Sequence, residues 1–265
     1  MTGVQTCALP ICERFAARTG VRRTYERWQE LLERERPDIV SVAVNSPHHA
    51  EVTIACAAAG VRYVFCEKPL ATSLRDADAM LEACAARGTL LVVNHTRRWE
   101  PVFVAAARAV REGRIGRLHH ALVRWPAGRL GNVGTHVFDA LDMLMGLEAE
   151  EVRGALDDTG RPDCRGPRFH DPGGWGVVRY TGGVNVFVDA SESIGAPVPL
   201  SILLAGSGGE LRIDGRTGRL APWGGESAAI PATDVSRTPL DAAVEEIVRC
   251  LDTGAAPTSS GEVAR

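Results

Sequence analysis

The sequence predicts two consecutive units, an α/β unit built on a parallel sheet and an α+β unit built on an open, mostly antiparallel sheet. Before residue 99, short continuous apolar runs alternate with helical periodicity, the pattern of parallel strands covered by helices on both faces. From residue 118 onward, short strand-like runs follow one another through glycine turns, which favours hairpins. Since 265 residues suffice for two modest domains, we expect units that span residues 1–98 and 99–265.

The elements of the first unit follow a regular order. Strands are predicted over residues 38–44, 63–66 and 89–93, and helices over residues 13–18, 24–34, 50–59 and 73–87, with a helix over residues 102–112 leading into the strands of the second unit. Ser73 followed by Asp76 is an acidic variant of the N-terminal capping box, and Gly88 supplies a C-terminal stop. Residues 1–12 fit no part of this pattern and are too irregular for a signal peptide, so we interpret them as a short leader or a spurious start.

Six short strands and two helices are predicted in the second unit. The strands cover residues 118–125, 151–156, 176–180, 184–190, 200–205 and 210–213, with turns at residues 181–183 and 207–209. One helix is predicted over residues 135–145, and another begins after Thr238, a capping residue followed by proline. The predicted buried face of this last helix consists of Leu240, Val244, Ile247, Val248 and Leu251.

Composition describes an ordinary globular chain. Hydrophobic residues make up 45% of it and the formal net charge is −3, which gives no basic field for nucleic acid. No apolar run reaches the length of a membrane span. The seven cysteines form no CxxC pair and lie largely in apolar segments, a usage typical of reduced thiols in a cytoplasmic protein. These observations argue against nucleic-acid and membrane partners and favour a small-molecule ligand.

Lys68 is the only lysine among 30 lysine and arginine residues. It stands in the segment VFCEKPL, where a buried strand gives way to an acid, an amine and a proline. Arginine stays protonated at any working pH, whereas a lysine amine can lose its proton when it is desolvated or lies near other positive charge. A surface cation at a strand end is the alternative. The sequence favours a titratable acid/base group at the edge of the sheet.

All three predicted parallel strands end in polar clusters. The clusters are Asn45–His49, Glu67–Pro69 and Asn94–Trp99. In sheets of this kind, ligands bind outside the carboxyl ends of the strands. The sequence therefore predicts a ligand site at this edge of the first sheet.

A second candidate group lies in the segment NVGTHVFD, at the start of the helix over residues 135–145. His136 and Asp139 are one turn apart and can share a helix face. A histidine at a helix start is more often structural, but if His136 faces Lys68, two groups of different basicity could exchange a proton with a substrate hydroxyl. Metal-binding alternatives are His48–His49, His119–His120 and His170–Asp171. None has a metal-motif spacing, and adjacent residues of a strand point to opposite faces, so a metal site is disfavoured.

Four segments, taken in order, resemble the successive signatures of the Gfo/Idh/MocA oxidoreductases, which include glucose–fructose oxidoreductase and inositol dehydrogenase. They are DIVSVAVNSPHH, VFCEKPL, VVNHTRRWEP and NVGTHVFDALDMLMG, and the similarity covers about residues 13–265. The resemblance implies a Rossmann domain followed by an open sheet that lines the substrate site. It also implies hydride exchange between NAD or NADP and a sugar, cyclitol or similar hydroxyl compound, in a homo-oligomer paired through the exposed sheet.

The resemblance implies roles for individual residues as well. Lys68 and His136 fall on the family's catalytic lysine and histidine. Asn132 stands where many relatives carry an aspartate, so it could position a hydroxyl or assist catalysis but could not accept a proton. The implied substrate contacts are Lys68, Asn94, Asn132, His136 and Asp139. The implied cofactor contacts are Ser46, Pro47, His49, Glu67, Lys68 and Arg98.

The main departure from the family pattern concerns the phosphate-binding turn. The family begins with a strand and a GxGxxG turn whose amides hold the pyrophosphate, and an acidic residue about 20 positions further on selects the ribose. Neither is found in this sequence, so we expect a truncated dinucleotide-binding domain that binds NADH or NADPH far more weakly than a relative with this unit. Two hypotheses stay open: a nicotinamide-dependent dehydrogenase, recorded completely or in part, and a noncatalytic sugar-binding or assembly protein of the same fold.

Overall fold

The computed structural model describes residues 8–126, 129–157, 163, 165–192, 199–231 and 236–265. Most of the irregular start, residues 1–7, lies outside the described residues. The helices of the described part are α1 (Ala8–Thr19), α2 (Trp28–Glu35), α3 (His49–Ala58), α4 (Leu74–Arg87), α5 (Pro101–Arg111), α6 (Thr135–Met145) and α7 (Pro239–Thr253). None of the helices in these ranges combines the length and apolarity that a membrane-spanning helix requires.

The first sheet is parallel, as predicted. Its strands lie in the order β1 (Ile39–Val42), β2 (Tyr63–Cys66) and β3 (Leu90–Val93). All four residues of β2 are buried, which explains the continuous apolar run in the sequence. The predicted cap of α4 is confirmed: the Ser73 hydroxyl accepts the amide hydrogen of Asp76 at 3.1 Å, and Gly88 follows the helix with a φ of 66°.

The second sheet is mostly antiparallel, with one parallel pair between β4 and β7. Its strands are β4 (Leu118–Arg124), β5 (Ala149–Leu156), β6 (Gly174–Tyr180), β7 (Val184–Ala190), β8 (Ser201–Gly206), β9 (Gly209–Asp214), β10 (Thr217–Pro222) and β11 (Ala228–Ala229). They are arranged in the order β11-β10-β9-β8-β4-β7-β6-β5. One face of the sheet packs against α5 and α6 around a buried core that includes Trp125, Leu141 and Ile202. The predicted combination of an α/β unit and an open antiparallel unit is confirmed.

The last helix packs against the first sheet, although it follows the second sheet in the chain. Its buried side consists of Ala243, Glu246, Ile247 and Cys250, and the apolar members of this set contact Tyr63, Phe65 and Trp99. The prediction of its buried face was wrong for Leu240, Val244 and Val248, which are exposed. Ala243, Glu246 and Cys250 face inward instead, beside Ile247.

The segment after α7 also returns to the first sheet. The Val93 amide donates to Ser259 O at 3.0 Å, and the Gly261 amide donates to Leu91 O at 2.8 Å, so the segment pairs antiparallel with β3. The Ser259 hydroxyl adds a bond of 2.8 Å to Val93 O. The boundary between residues 98 and 99 stays a prediction. Both α7 and this C-terminal segment lie beyond that boundary in the chain, yet they contact the first unit.

Candidate active site

Lys68 follows β2 and connects the two units through Asn132. Its Nζ atom donates to Asn132 Oδ1 at 2.7 Å and to Asn132 O at 3.0 Å. Asn132 lies in a single π-helical turn, Leu130–Gly134, directly before α6. The contact joins two predicted site residues that are 64 positions apart in the chain. Insertions of this kind into helices are frequent at functional sites.

Asp171 holds the backbone of the turn that contains Asn132. The two carboxylate oxygens of Asp171 accept the amide hydrogens of Gly131 at 2.6 Å and Asn132 at 2.9 Å. From the sequence, Asp171 is a candidate only as half of a metal-binding pair. The structure gives it a different task, since it fixes the backbone whose side chain contacts Lys68. No local signal predicts this contact, because Asp171 lies 39 residues beyond Asn132.

His136 lies in the first turn of α6, where its ring meets the ring of His95. The two ring centroids are 5.5 Å apart and the planes cross at 86°. Burial lowers the pKa of His136 to about 3, and the positive charges of Arg97 and Lys68 lower it further. Burial likewise lowers the pKa of His95 to about 3, assisted by Arg98, Lys68 and Arg97. Both rings are therefore neutral at neutral pH. The sequence places His95 in the polar cluster after β3, but nothing there distinguishes it from its neighbours.

Asp139 and Arg98 form a buried ion pair between α6 and the end of β3. Arg98 Nε donates to Asp139 Oδ1 at 2.8 Å, and the two side chains are 8% and 4% exposed. Arg98 Nη1 also donates to Thr258 O at 3.0 Å, which ties the pair to the C-terminal segment. Burial raises the pKa of Asp139 to about 6, against the opposing effect of Arg98. The ligand contacts expected of these two residues stay predictions.

The remaining predicted residues surround the same strand ends. Asn94 Nδ2 donates to Glu67 Oε1 at 2.7 Å, which links the carboxyl ends of β2 and β3. Ser46 and Pro47 lie in a short 3₁₀ helix after β1, where Ser46 is buried. The ring of His49 is buried, with Nδ1 2.9 Å from Pro69 O and Nε2 3.0 Å from Val44 O. Both ring nitrogens of His49 therefore lie within hydrogen-bond distance of main-chain carbonyl oxygens, one after β1 and one after β2.

The arrangement suits proton exchange with a hydroxyl group. It offers one amine, Lys68, whose hydrogen atoms are directed by an amide oxygen that cannot itself take a proton. Two neutral imidazoles lie beside it, and each can donate one hydrogen bond and accept another. The Arg98–Asp139 ion pair nearby is buried.

Comparisons with known proteins agree with this architecture. Residues 3–95 match the model of the Gfo/Idh/MocA family, described as an oxidoreductase family with an NAD-binding Rossmann fold. The chain is 34% identical over 146 residues to myo-inositol 2-dehydrogenase of Thermotoga maritima, a match that covers 50% of this chain and 43% of that protein. It is 32% identical over 188 residues to inositol 2-dehydrogenase of Acidothermus cellulolyticus, covering 66% of this chain and 54% of that protein. The chain therefore spans about half the length of these curated relatives.

Solved structures show the same fold. The aldose-aldose oxidoreductase from Caulobacter crescentus, complexed with glycerol, superposes with a TM-score of 0.84 at 21% identity, covering 97% of this chain and 82% of that chain. An inositol dehydrogenase homolog from Azotobacter vinelandii, complexed with NADH and myo-inositol, gives a TM-score of 0.79 at 18% identity, covering 96% and 80%. Residues 3–95 thus match the Gfo/Idh/MocA oxidoreductase family, and the chain shares its two-sheet fold with solved oxidoreductases.

Proposed function

We propose that the full-length protein is an NAD- or NADP-dependent oxidoreductase that transfers a hydride between the cofactor and a sugar, cyclitol or related hydroxyl compound. The observation that carries the proposal is the contact of 2.7 Å between the only lysine and Asn132 of the other unit, beside a neutral histidine pair. The relatives support the substrate class, since they are named for inositol, levoglucosan and apiose.

The residues at the carboxyl ends of the first sheet fit a nicotinamide and a polyol in their chemistry. Asn94 Oδ1 is buried and has no hydrogen-bond partner among the described residues, so it can accept a hydrogen from a ligand hydroxyl or amide. The residues that would hold the cofactor are Ser46, Pro47, His49, Glu67, Lys68 and Arg98. When bound, the cofactor supplies or accepts the hydride.

Lys68 performs the proton transfer in this proposal. In the oxidative direction, the neutral amine would take the proton of the substrate hydroxyl, and in the reductive direction the ammonium would return that proton. Asn132 keeps the Nζ atom in place but cannot accept a proton. His136 is neutral and orients the same hydroxyl by hydrogen bonding. Asn94 and Asp139 complete the proposed substrate contacts.

The proposal is tested by substrate-dependent reduction of NAD⁺ or NADP⁺ in the full-length protein, followed by the absorbance of the reduced nicotinamide. We expect turnover with at least one member of a panel of inositols, aldoses and anhydro-sugars. The Lys68→Met protein, purified in parallel, is the matched control that excludes a contaminating dehydrogenase. Saturable polyol binding in a calorimeter without turnover by either cofactor would instead favour the noncatalytic alternative.

We further propose that the exposed face of the second sheet pairs two copies of this chain. The strand registers align one row across six strands, Arg153, Val177, Phe187, Leu122, Leu203 and Arg212. Leu122 and Phe187 at its centre are each 45% exposed. Each end of the row carries an arginine, and an acid, Glu151 or Asp214, lies two residues away on the same strand. A copy related by a two-fold axis therefore meets charges of both signs.

Phe187→Asp is expected to convert the oligomer to a monomer, because it places a charge at the centre of the apolar row. Light scattering coupled to size-exclusion chromatography measures the molar mass. Val104→Asp on α5 is the matched control, since Val104 is also 45% exposed but lies away from the row, and it should leave the mass unchanged. A wild-type protein that is monomeric at every concentration tested, or a Phe187→Asp protein that keeps its oligomeric mass, would exclude this face as the interface.

A further inference from the structure

His95 is among the most buried polar residues of the candidate active site. It directly follows Asn94 at the end of the first sheet and is 1% exposed. The edge-to-face contact with His136 joins it to α6, the element that carries the candidate catalytic histidine. No role follows for His95 from the sequence motifs, although its ring contacts that of His136.

Packing alone does not explain a histidine at this position. The Nδ1 atom of His95 is buried and has no hydrogen-bond partner in the part of the chain that the structure describes, and the same holds for His136 Nδ1. A buried polar atom without a partner destabilises the fold, and a phenylalanine would fill the same space without that penalty. Departures of this kind from good packing concentrate at functional sites.

The charges around the two rings set their protonation. The nearby charged groups are Lys68 after β2, Arg97 and Arg98 after β3, and Asp139 on α6. Asp139, the one acid in this set, is paired with Arg98, so the remaining field at the rings is positive. A proton on either imidazole would add a further positive charge to a buried and cationic environment.

We propose that His95 is a positioning residue of the candidate active site, whose neutral ring packs edge-to-face against His136 and keeps that imidazole oriented, dry and uncharged beside Lys68. The proposal rests on the proposed role of His136. It assigns proton transfer to Lys68 alone, with His136 confined to hydrogen bonding. A neutral His136 can accept a hydroxyl hydrogen or donate to a hydroxyl oxygen without adding charge next to the lysine amine.

The experiment follows the ring resonances of the seven histidines by NMR in the chain as it stands, and it requires neither cofactor nor turnover. In the wild type, the His136 resonances should stay constant from pH 8 to pH 5. His95→Phe keeps a flat ring in the contact, so His136 should again fail to titrate, and Tm should rise because the unpaired nitrogen is gone.

His95→Ala opens space for water and ring rotation, so His136 should begin to titrate between pH 5 and pH 7. His119→Ala, an exposed control, should leave the His136 resonances unchanged.

Two results would overturn the proposal. If the His136 resonances stay constant with pH in His95→Ala, the ring contact does not control the protonation of His136. If they titrate in His95→Phe, the ring shape at position 95 is not what keeps His136 neutral. If the alanine protein does not fold, the phenylalanine protein still decides the question. In the full-length enzyme, His95→Ala should add an acidic limb to the pH profile of kcat, whereas His95→Phe should not. If the proposed function is wrong, there is no turnover to measure, but the NMR outcomes are unaffected. Failure of the proposed function and failure of the His95 proposal are therefore distinguishable.

Discussion

Lys68→Met is expected to lower kcat of the full-length protein by roughly 10²- to 10⁴-fold, the usual contribution of a positioned acid/base group. The methionine keeps an unbranched stem of similar length but cannot take a proton. Lys68→Arg keeps the charge and a hydrogen bond to Asn132, yet it cannot titrate, so it should be nearly as slow. Both proteins should retain cofactor affinity, measured by the fluorescence of bound NADH or NADPH.

The composition of the chain allows a second measurement on the same residue. Because Lys68 is the only lysine in this sequence, an amine-selective acylating reagent has a single internal target within it. Loss of turnover should parallel acylation of Lys68, located by mass spectrometry, and a bound polyol should slow both. Lys68→Arg with near-native turnover, or full activity after complete acylation of Lys68, would remove this residue from the proton path.

Local features were the most predictable from the sequence. The helix over residues 135–145 has the predicted bounds, and the caps at Ser73 and Thr238 form as expected, since each depends on side chains within three residues of the helix start. Strands β10 and β11 were not predicted, because β10 mixes glycine, arginine and proline without the apolar alternation of a strand, and β11 consists of two alanines. Pairing determines their conformation instead: β10 pairs with β9, and β11 pairs with β10.

The long-range part of the site could not be predicted from residue spacing. The polar clusters after β1, β2 and β3 lie at one sheet edge because parallel strands share a direction, which the sequence pattern does indicate. The contact of Lys68 with Asn132 and the ring pair of His95 and His136 cross between the units, and the support from Asp171 joins residues 39 positions apart within the second unit. The burial that lowers the pKa of His136 could not be predicted from the sequence either, and its part in proton exchange stays a prediction.

Arg98→Met is expected to lower the free energy of unfolding by about 3–5 kcal/mol, the usual loss when one partner of a buried ion pair is removed. It leaves the carboxylate of Asp139, 4% exposed, without its counter-ion, and it releases the bond to Thr258 O that fastens the C-terminal segment. Urea denaturation measures the loss. Arg108→Met is the matched control, because its ion pair with Glu112 on α5 is exposed and should contribute little.

The loss should depend on pH in a direction set by Asp139. Its pKa in the folded protein, about 6, lies above the ordinary value of 3.8, so its ionisation already opposes folding as the pH rises through 6. Without Arg98 that pKa rises further, so the difference between Arg98→Met and wild type should be largest at pH 8 and should shrink toward pH 5 as the buried acid takes up a proton. The double variant Arg98→Met/Asp139→Leu removes both charges and should recover much of the stability at pH 8. A single variant no less stable than Arg108→Met, or a double variant less stable than the single one, would show that this pair does not hold α6 against the first sheet.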